Sequence, residues 1–262
     1  IADEEKQARG AIVPIMIGDE TGFTAGSMQR LTGTPPRRGG AVPDIGEQML
    51  GSAHADANAR VPVPEPNGQN HLPLEGIRVI DFSMGWAGPI CTRTLADLGA
   101  DVIKIEATQY PDWWRGVDRR PAYVLEQMYE KSVRYCIMNR NKRGITLDLT
   151  RPQGLNLAQR LVADADLVVD NYSVEVLPKL GLGYNIVSKL NPKLVMMSMS
   201  AFGAGSLNRD CRAYGSTLEQ GSGLPSVVGD PDGPPVMSHT AFGDAVGGLN
   251  GCAAVLTALI HA

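Results

Sequence analysis

Hydrophobic residues in the middle of the chain alternate between short continuous runs and runs at helical spacing. Ile77, Val79, Ile80 and Phe82 form a short, nearly continuous apolar run, and a turn containing Gly85 and Pro89 follows. Residues 90–98 then place apolar side chains at helical spacing. A second apolar run, residues 102–105, comes next. Such continuous runs are typical of strands covered on both faces, and proline is favoured in the first turn of a helix. The pattern predicts a strand–helix–strand unit with a ligand crevice at the carboxyl ends of its strands.

The same alternation continues to the end of the sequence. Further predicted strands are residues 145–149, 167–169 and 194–200, and further predicted helices are residues 124–131, 152–163, 174–180 and 243–261. We therefore predict an α/β fold with a doubly wound, mostly parallel, Rossmann-like sheet and helices on both faces. The last helix is rich in small and apolar residues, so we expect it to pack in the interior.

The first 73 residues lack this regular pattern. Residues 12–17 are predicted to form a strand, which Pro14 restricts to a sheet edge. Residues 51–73 are rich in Ala, Pro, Asn and Gly and are interpreted as an exposed linker. The compact domain is predicted to cover residues 74–262.

Composition narrows the classes of partner. The chain has 24 Lys and Arg against 28 Asp and Glu, a formal net charge of −4, which argues against nucleic acid as its main partner. We find no basic and apolar leader and no terminal apolar run long enough to cross a bilayer, so we expect no membrane partner. The four cysteines are widely spaced and are interpreted as reduced, mostly buried cysteines of a cytoplasmic protein. The four histidines are isolated, so no metal site is expected.

The turn after the first predicted strand raises the alternative of a nicotinamide or flavin dinucleotide site. Glu106 lies where such a site has the acid that binds the ribose, but the fingerprint also needs the spacing G-x-G-x-x-G. Residues 83–88 read SMGWAG, with Met84 and Trp86 where the pyrophosphate needs bare backbone. We regard this alternative as disfavoured.

Short motifs from residue 74 onward occur in an order that resembles the class III CoA-transferases, the family of formyl-CoA transferase and carnitine CoA-transferase. The motifs lie at residues 74–81, 87–89, 96–106, 139–143, 147–149, 170–172, 180–184, 191–194 and 229–235. The resemblance covers residues 74–262. It implies an acyl-CoA and a small carboxylic acid as substrates, coenzyme A as the carried group without a metal, and interlocked dimers.

The resemblance also suggests an origin for the N-terminal part. Residues 1–50, through the segments 33–37 and 42–47, look like the last segment of such a transferase. A tail before a head suggests a tandem fusion, in which residues 1–50 end one unit, residues 51–73 link the units, and residues 74–262 form the large CoA-binding domain of the next. The small domain of the family is missing. We therefore expect a fragment of a longer polypeptide that forms a homodimer or pairs with a second unit as a tandem pseudo-dimer.

Asp244, in the segment 238–244 (SHTAFGD), matches the nucleophile of the family. In the family, this aspartate attacks the acyl-CoA thioester and forms an acyl-aspartyl anhydride and then an aspartyl-CoA thioester, from which CoA passes to the acceptor acid. The residues support the role independently, because free N–H groups at the start of a helix keep a carboxylate ionised. The alternative is that Asp244 only caps its helix.

Three further residues are expected near the substrate by resemblance. Tyr214 matches the tyrosine that borders the active site and, because the racemase branch has histidine there, favours a transferase over an α-methylacyl-CoA racemase. The acid that usually follows this tyrosine is Gly215 here, and Glu219 is either its substitute or a solvated charge on a helix surface. Trp86 replaces the glutamine of formyl-CoA transferase, which argues against a formyl or oxalyl substrate.

Residues expected to bind CoA follow the predicted strands, where basic side chains suit a ligand with a 3′-phosphate and a pyrophosphate. They are Lys142, Arg143, Asn171, Tyr172, Lys179 and Arg212. For the lysines and Arg143 the alternative is an ordinary solvated basic face. Tyr172 is interpreted either as a ring that stacks on adenine or as a packed aromatic residue.

Two functions remain open from the sequence. The first is a CoA-transferase that acts through Asp244. The second is a catalytically weak or structural unit of a tandem fusion, which the departure at Gly215 keeps open.

Overall fold

The computed structural model describes residues 4–8, 12–17, 20–26, 72–116, 120–238 and 240–262. The strands are β1 (Ile12–Ile17), β2 (Glu20–Ala25), β3 (Arg78–Asp81), β4 (Asp101–Glu106), β5 (Arg143–Thr146), β6 (Leu167–Asp170) and β7 (Val195–Ser198). The helices are α1 (Glu4–Ala8), α2 (Ala87–Asp97), α3 (Pro121–Leu125), α4 (Val133–Asn139), α5 (Pro152–Ala163), α6 (Val176–Lys179), α7 (Tyr184–Leu190), α8 (Gly215–Gly221) and α9 (Phe242–His261).

Five strands form a parallel sheet in the order β5-β4-β3-β6-β7. The chain moves outward from β3 to β5 and then returns to the other side of β3, so the order reverses between β3 and β6. In open α/β sheets, ligands bind at the carboxyl ends of the strands at such a reversal. The residues that follow Asp81 and Asp170 therefore line the crevice, as the sequence predicts.

Alternate residues of the strands point to opposite faces and build two cores. On one face, Val79, Val102 and Val169 pack with α2 and α9. On the other face, Ile80 and Val168 pack with α5, α6 and α7. Both faces are covered by helices, which confirms the predicted doubly wound architecture and explains why β3, β4 and β6 read as continuous apolar runs.

The boundaries of some predicted elements were wrong. Residues 124–131 were predicted as one helix, but the chain forms the shorter α3, a series of turns, and α4. The strand predicted at residues 145–149 is β5, which begins and ends earlier. Helix α8 was not predicted, because its sequence GSTLEQG has two glycines and no apolar period.

The N-terminal prediction can be followed only in part. β1 pairs with β2 as an antiparallel hairpin, with Pro14 opposite Phe23. In a two-stranded sheet both strands are edges, so the predicted strand and its edge position are confirmed. Most of the predicted tail and linker, residues 27–71, lies outside the described residues.

Helix α9 packs by one face only. Its buried residues are Gly248, Gly251, Cys252 and Val255, whereas Leu249 and Ile260 on the remaining surface are exposed. The expectation that this helix packs in the interior therefore holds for one of its faces only. The expectation that no terminal apolar run could cross a bilayer was wrong, since α9 is long and apolar enough by length and composition. Core helices meet the same criterion, so these two properties alone do not assign α9 to a membrane.

The contact between α2 and α9 depends on glycine. A Cβ at Gly248 would lie 2.6 Å from the Ala87 carbonyl oxygen and 2.8 Å from the Ile90 Cβ. We expect Gly248→Ala to lower the free energy of unfolding by about 1–3 kcal/mol, because the two backbones must separate. Gly247→Ala, at a position with nothing within 4 Å, is the matched control and should be neutral or stabilising. Urea unfolding of both variants measures the difference.

Candidate active site

Asp244 lies where the N-termini of three helices meet. It is the third residue of α9, and its Oδ2 accepts a hydrogen bond of 2.9 Å from the backbone N–H of Gly215, the first residue of α8. The backbone N–H of Ala87, the first residue of α2, lies near enough to lower the pKa of this carboxylate. Helix N-termini carry unpaired N–H groups and partial positive charge, so this position favours an anion.

The interpretation of Asp244 as a simple N-cap was wrong. The N-cap of α9 is Ala241, whose backbone is left-handed (φ 49°, ψ 47°) and which makes no side-chain cap. Asp244 instead accepts a hydrogen bond from the first residue of α8 and lies near the first residue of α2. Its carboxylate therefore ties α8 to α9.

Two opposing effects act on the carboxylate of Asp244. Partial burial raises its pKa above the ordinary value, whereas the hydrogen bonds from Gly215 and Ala87 lower it. Burial removes part of the hydration shell that weakens a carboxylate as a nucleophile. The N–H groups replace that hydration with fixed dipoles.

Gly215 is close enough to the carboxylate to exclude any side chain. A Cβ there would lie 2.3 Å from the Asp244 Oδ2 and 2.8 Å from the Ala241 carbonyl oxygen. Gly243 is similarly restricted, since its Cβ would lie 2.9 Å from the Gly215 carbonyl oxygen. The resemblance leads us to expect an acid at position 215, but the backbone packing around Asp244 leaves room only for glycine there.

Two predicted substrate residues flank these N–H donors. Trp86 immediately precedes Ala87, and its ring meets Trp114 edge to face at 6.3 Å. Tyr214 immediately precedes Gly215, is exposed, and meets Trp113 edge to face at 6.1 Å. The structure thus brings Trp86 and Tyr214 to the site of Asp244.

The backbone of the turn from Ser83 to Trp86, at the carboxyl end of β3, is fixed by hydrogen bonds to side chains. Asn171 accepts from the Met84 N–H at 2.8 Å and donates to the Met84 carbonyl at 2.7 Å. Asp112 accepts from the Gly85 N–H at 3.1 Å, and Lys104 donates to the Ser83 carbonyl at 2.6 Å. Lys104 and Asp112 also form a buried ion pair at 3.1 Å. Asn171, predicted to bind CoA, is here a structural clamp on this turn.

Beneath the turn, Asp81 and Lys142 form a second buried ion pair at 3.0 Å. Both side chains are at most 1% exposed. Burial lowers the pKa of Lys142 to about 8, although Asp81 opposes this. The interpretation of Lys142 as a solvated basic residue was wrong.

The other predicted CoA residues do not form one cluster. Arg143 is half exposed and pairs with Asp101 at the amino end of β4, away from the crevice. Lys179 and Arg212 are exposed, at the end of α6 and in the loop before α8. Tyr172 is partly buried against the core of α5–α7, and burial raises its pKa. Of this group, Asn171 and Tyr172 follow directly on β6 at the crevice.

Two acidic residues have partners that the sequence did not predict. Glu219 is buried, and its carboxylate accepts hydrogen bonds from the backbone and hydroxyl of Ser238, so the interpretation as a solvated charge was wrong. Glu106, the position of a ribose-binding acid, pairs with Arg115 at 2.8 Å and accepts from Tyr135 at 2.7 Å. Because the Glu106 carboxylate is already bound by Arg115 and Tyr135, it is not available to a ribose. This argues against a dinucleotide site.

Comparisons with known proteins give the family of the chain. The profile of CoA-transferase family III matches residues 74–262, more than half of the chain. The chain belongs to CoA-transferase family III.

Two curated relatives illustrate the similarity. The succinate–glutarate CoA-transferase of Agrobacterium fabrum is 39% identical over 192 residues, which are 72% of this chain and 48% of the relative. The formyl-CoA:oxalate CoA-transferase of Afipia carboxidovorans is 35% identical over 188 residues, which are 72% of this chain and 43% of the relative. The chain thus spans about half the length of these relatives.

Solved structures of the family have the same fold. A CAIB/BAIF family protein from Brucella suis has a TM-score of 0.63 at 33% identity, over 73% of this chain and 50% of that protein. A hypothetical protein from Mycobacterium tuberculosis has a TM-score of 0.62 at 30% identity, over 72% of this chain and 51% of that protein.

The buried ion pair of Asp81 and Lys142 should make the free energy of unfolding depend on pH in the acidic range. Burial opposes the charge of Asp81, but Lys142, Lys104 and two hydroxyl groups lower its pKa from 3.8 to about 2. A carboxylate with a lowered pKa stabilises the fold above its ordinary pKa, and this contribution is lost as the pH falls from about 4 through 2. We expect a loss of about 2 kcal/mol from Asp81 in this range.

Urea unfolding between pH 2 and 5 measures this loss. Glu106, whose pKa hydrogen bonds and charges also lower to about 2 against the effect of burial, adds to the slope in the same range. Asp81→Asn should therefore flatten the curve in part only. An unchanged slope in Asp81→Asn would contradict the assignment.

The sequence did not predict that Lys104 and Asp112 hold the turn, although it contains one signal for Lys104. Lys104 is a charged residue in the middle of the apolar β4, and a lysine is rarely fully buried unless it is paired. The roles of Gly215 and Ala87 left no such signal, because both act through backbone N–H groups.

A cleft of about 660 Å³ lies elsewhere, between the carboxyl ends of β6 and β7 and the end of α9. Its lining includes Asp170, Tyr184, Lys193 and His261 but not Asp244. The cleft is therefore separate from the candidate nucleophile.

Proposed function

We propose that residues 74–262 form the nucleophile-bearing domain of a CoA-transferase that moves CoA from an acyl-CoA donor to a carboxylic acid acceptor. The observation that carries the proposal is the partly buried Asp244 carboxylate, held by the N–H group at the start of α8 and placed near that of α2. Family membership supports the reaction class.

The proposed reaction passes through two kinds of covalent intermediate. The Asp244 carboxylate attacks the thioester carbonyl carbon, the carbon–sulfur bond breaks, and CoA leaves as a thiolate from the acyl-aspartyl anhydride. The thiolate then attacks the aspartyl carbon, and the donor acid leaves as a carboxylate from the aspartyl-CoA thioester. The acceptor carboxylate attacks this thioester, and the released thiolate attacks the acceptor's carbonyl carbon. The new acyl-CoA leaves and Asp244 is restored.

The two backbone N–H groups stabilise negative charge throughout the reaction. Negative charge on the aspartyl oxygens is present in the free carboxylate and returns in each tetrahedral intermediate on the aspartyl carbon. The Gly215 N–H donates to one of these oxygens before the reaction and the Ala87 N–H lies nearby, so both groups stabilise both states. No side chain is needed as a proton donor, because the leaving groups are a thiolate and a carboxylate.

The acid substrate is proposed only by class. Trp86 and Tyr214 immediately precede Ala87 and Gly215, and their rings contact Trp114 and Trp113. Trp86 replaces the glutamine of formyl-CoA transferase, which argues against a formyl or oxalyl group. We propose that the acceptor is another small carboxylic acid and that the active protein is a dimer or a pair of fused units.

CoA exchange tests this function. The protein is incubated with a panel of acyl-CoAs, including succinyl-CoA and formyl-CoA, and ¹³C-labelled carboxylic acids, and transfer of the label into acyl-CoA is measured by mass spectrometry. We expect transfer for at least one pair other than formyl and oxalyl. CoA binding without transfer for any pair would instead support a structural unit.

A further inference from the structure

We infer that the buried Lys142–Asp81 ion pair is a positioning device that fixes the first turn of α2, and with it the Ala87 N–H, beside Asp244. The inference rests on the proposed function, because it assigns a role to the surroundings of the nucleophile. It replaces the sequence-based expectation that Lys142 binds a CoA phosphate.

The two carboxylate oxygens of Asp81 accept hydrogen bonds from different elements, one from the turn and one from α2 and Lys142. Oδ1 accepts from the N–H of Ser83 at 2.9 Å and from its hydroxyl at 2.5 Å. Oδ2 accepts from the Thr92 hydroxyl at 2.7 Å and from the Lys142 Nζ at 3.0 Å. One carboxylate therefore connects β3, the following turn and α2.

Lys142 adds a direct contact to the start of α2. Its Nζ donates to the carbonyl of Pro89 at 3.3 Å and to the Asn139 Oδ1 at 2.9 Å, besides Asp81. An ammonium group has three donors, and all three are occupied by buried acceptors. To reach a phosphate, Lys142 would have to leave the buried Asp81 carboxylate unpaired.

The opposite side of this first turn is closed by α9. The Ala87 carbonyl oxygen lies 2.6 Å from the position of a Cβ on Gly248, which is one helical turn after Asp244. The first turn of α2 is thus held between the ion pair on the inside and α9 on the outside. Loss of the inner support lets Ala87 move relative to Asp244, whereas Gly215 belongs to α8 and has no contact with the ion pair.

Amide NMR of ¹⁵N-labelled protein distinguishes a positioning role of Lys142 from a role in CoA binding. Wild type is compared with Lys142→Met and with the control Lys189→Met, an exposed lysine on α7. In Lys142→Met we expect hydrogen exchange of the Ala87 amide to accelerate about tenfold or more, and its chemical shift to lose its dependence on the titration of Asp244. The Gly215 amide and the dissociation constant of CoA should stay within about twofold, and Lys189→Met should match wild type.

Two patterns would overturn the inference. Unchanged exchange at Ala87 with weaker CoA binding in Lys142→Met would make Lys142 a CoA ligand. Equal acceleration at Ala87 and Gly215 would indicate general loosening of the fold.

A second variant covers the case in which Lys142→Met does not fold. Thr92→Val keeps the ion pair but removes its hydrogen bond to α2, and we expect faster exchange at Ala87 alone, by about threefold. Unchanged exchange in folded Thr92→Val would also overturn the inference. These readouts need no turnover, so they remain decisive if CoA transfer itself is not found.

Discussion

Asp244→Asn should abolish CoA transfer, with a loss on the order of 10⁴-fold or more. An amide oxygen can still accept the hydrogen bond from the Gly215 N–H, so the fold is kept, but the amide is not a nucleophile for a thioester. The measurement is the rate of label transfer from a ¹³C-labelled acid into acyl-CoA, together with the dissociation constant of CoA. We expect the rate to collapse while CoA binding changes little.

Asp210→Asn is the matched control, because Asp210 is an exposed carboxylate in the loop before α8. It should transfer CoA at the wild-type rate. If Asp244→Asn also kept that rate, the chemistry would belong to another residue or another unit.

Gly215→Ala should lower the transfer rate by about 10²-fold. The added Cβ would lie 2.3 Å from the Asp244 Oδ2 and 2.9 Å from the Asp244 backbone nitrogen, so either the carboxylate or the start of α9 must move. A displacement of about 1 Å at a reacting group can cost this much. Transfer rate and CoA affinity are measured as for Asp244, and the rate should fall far more than the affinity.

Gly221→Ala on the same helix is the control for this variant. Its Cβ would meet only a ring carbon of Phe202, at 3.8 Å, which is an ordinary contact. Equal rates in Gly215→Ala and Gly221→Ala would contradict the placement of Asp244 against α8. Such a result would also indicate that position 215 of this chain can hold the acid that usually follows this tyrosine.

The architecture could be predicted from the sequence because its signals are local. Short runs rich in apolar residues indicated the buried strands, and the amphipathic pattern of α5 indicated a helix between them. Helix α8 could not be predicted in this way, since its stability comes from packing against α9 and from the buried Glu219.

The candidate site was predictable only in part. Asp244, Tyr214 and Trp86 were found through motif resemblance, and the structure brings them together. The partners of Lys142 and Glu219 were missed, because a basic or acidic residue has the same appearance in sequence whether it binds ligand, solvent or a buried counterpart. The pairing of Lys142 with Asp81 joins residues 61 positions apart and emerges only from the fold.

The central claim, that Asp244 is the nucleophile, is tested most directly by mapping the covalent adduct. The protein is incubated with the acyl-CoA that supports transfer, quenched, treated with hydroxylamine and digested, and the peptide that contains Asp244 is analysed by mass spectrometry. The proposed mechanism predicts an aspartyl hydroxamate at Asp244 that is absent without acyl-CoA and absent in Asp244→Asn. A hydroxamate on a different residue, or transfer without any adduct on this peptide, would contradict it.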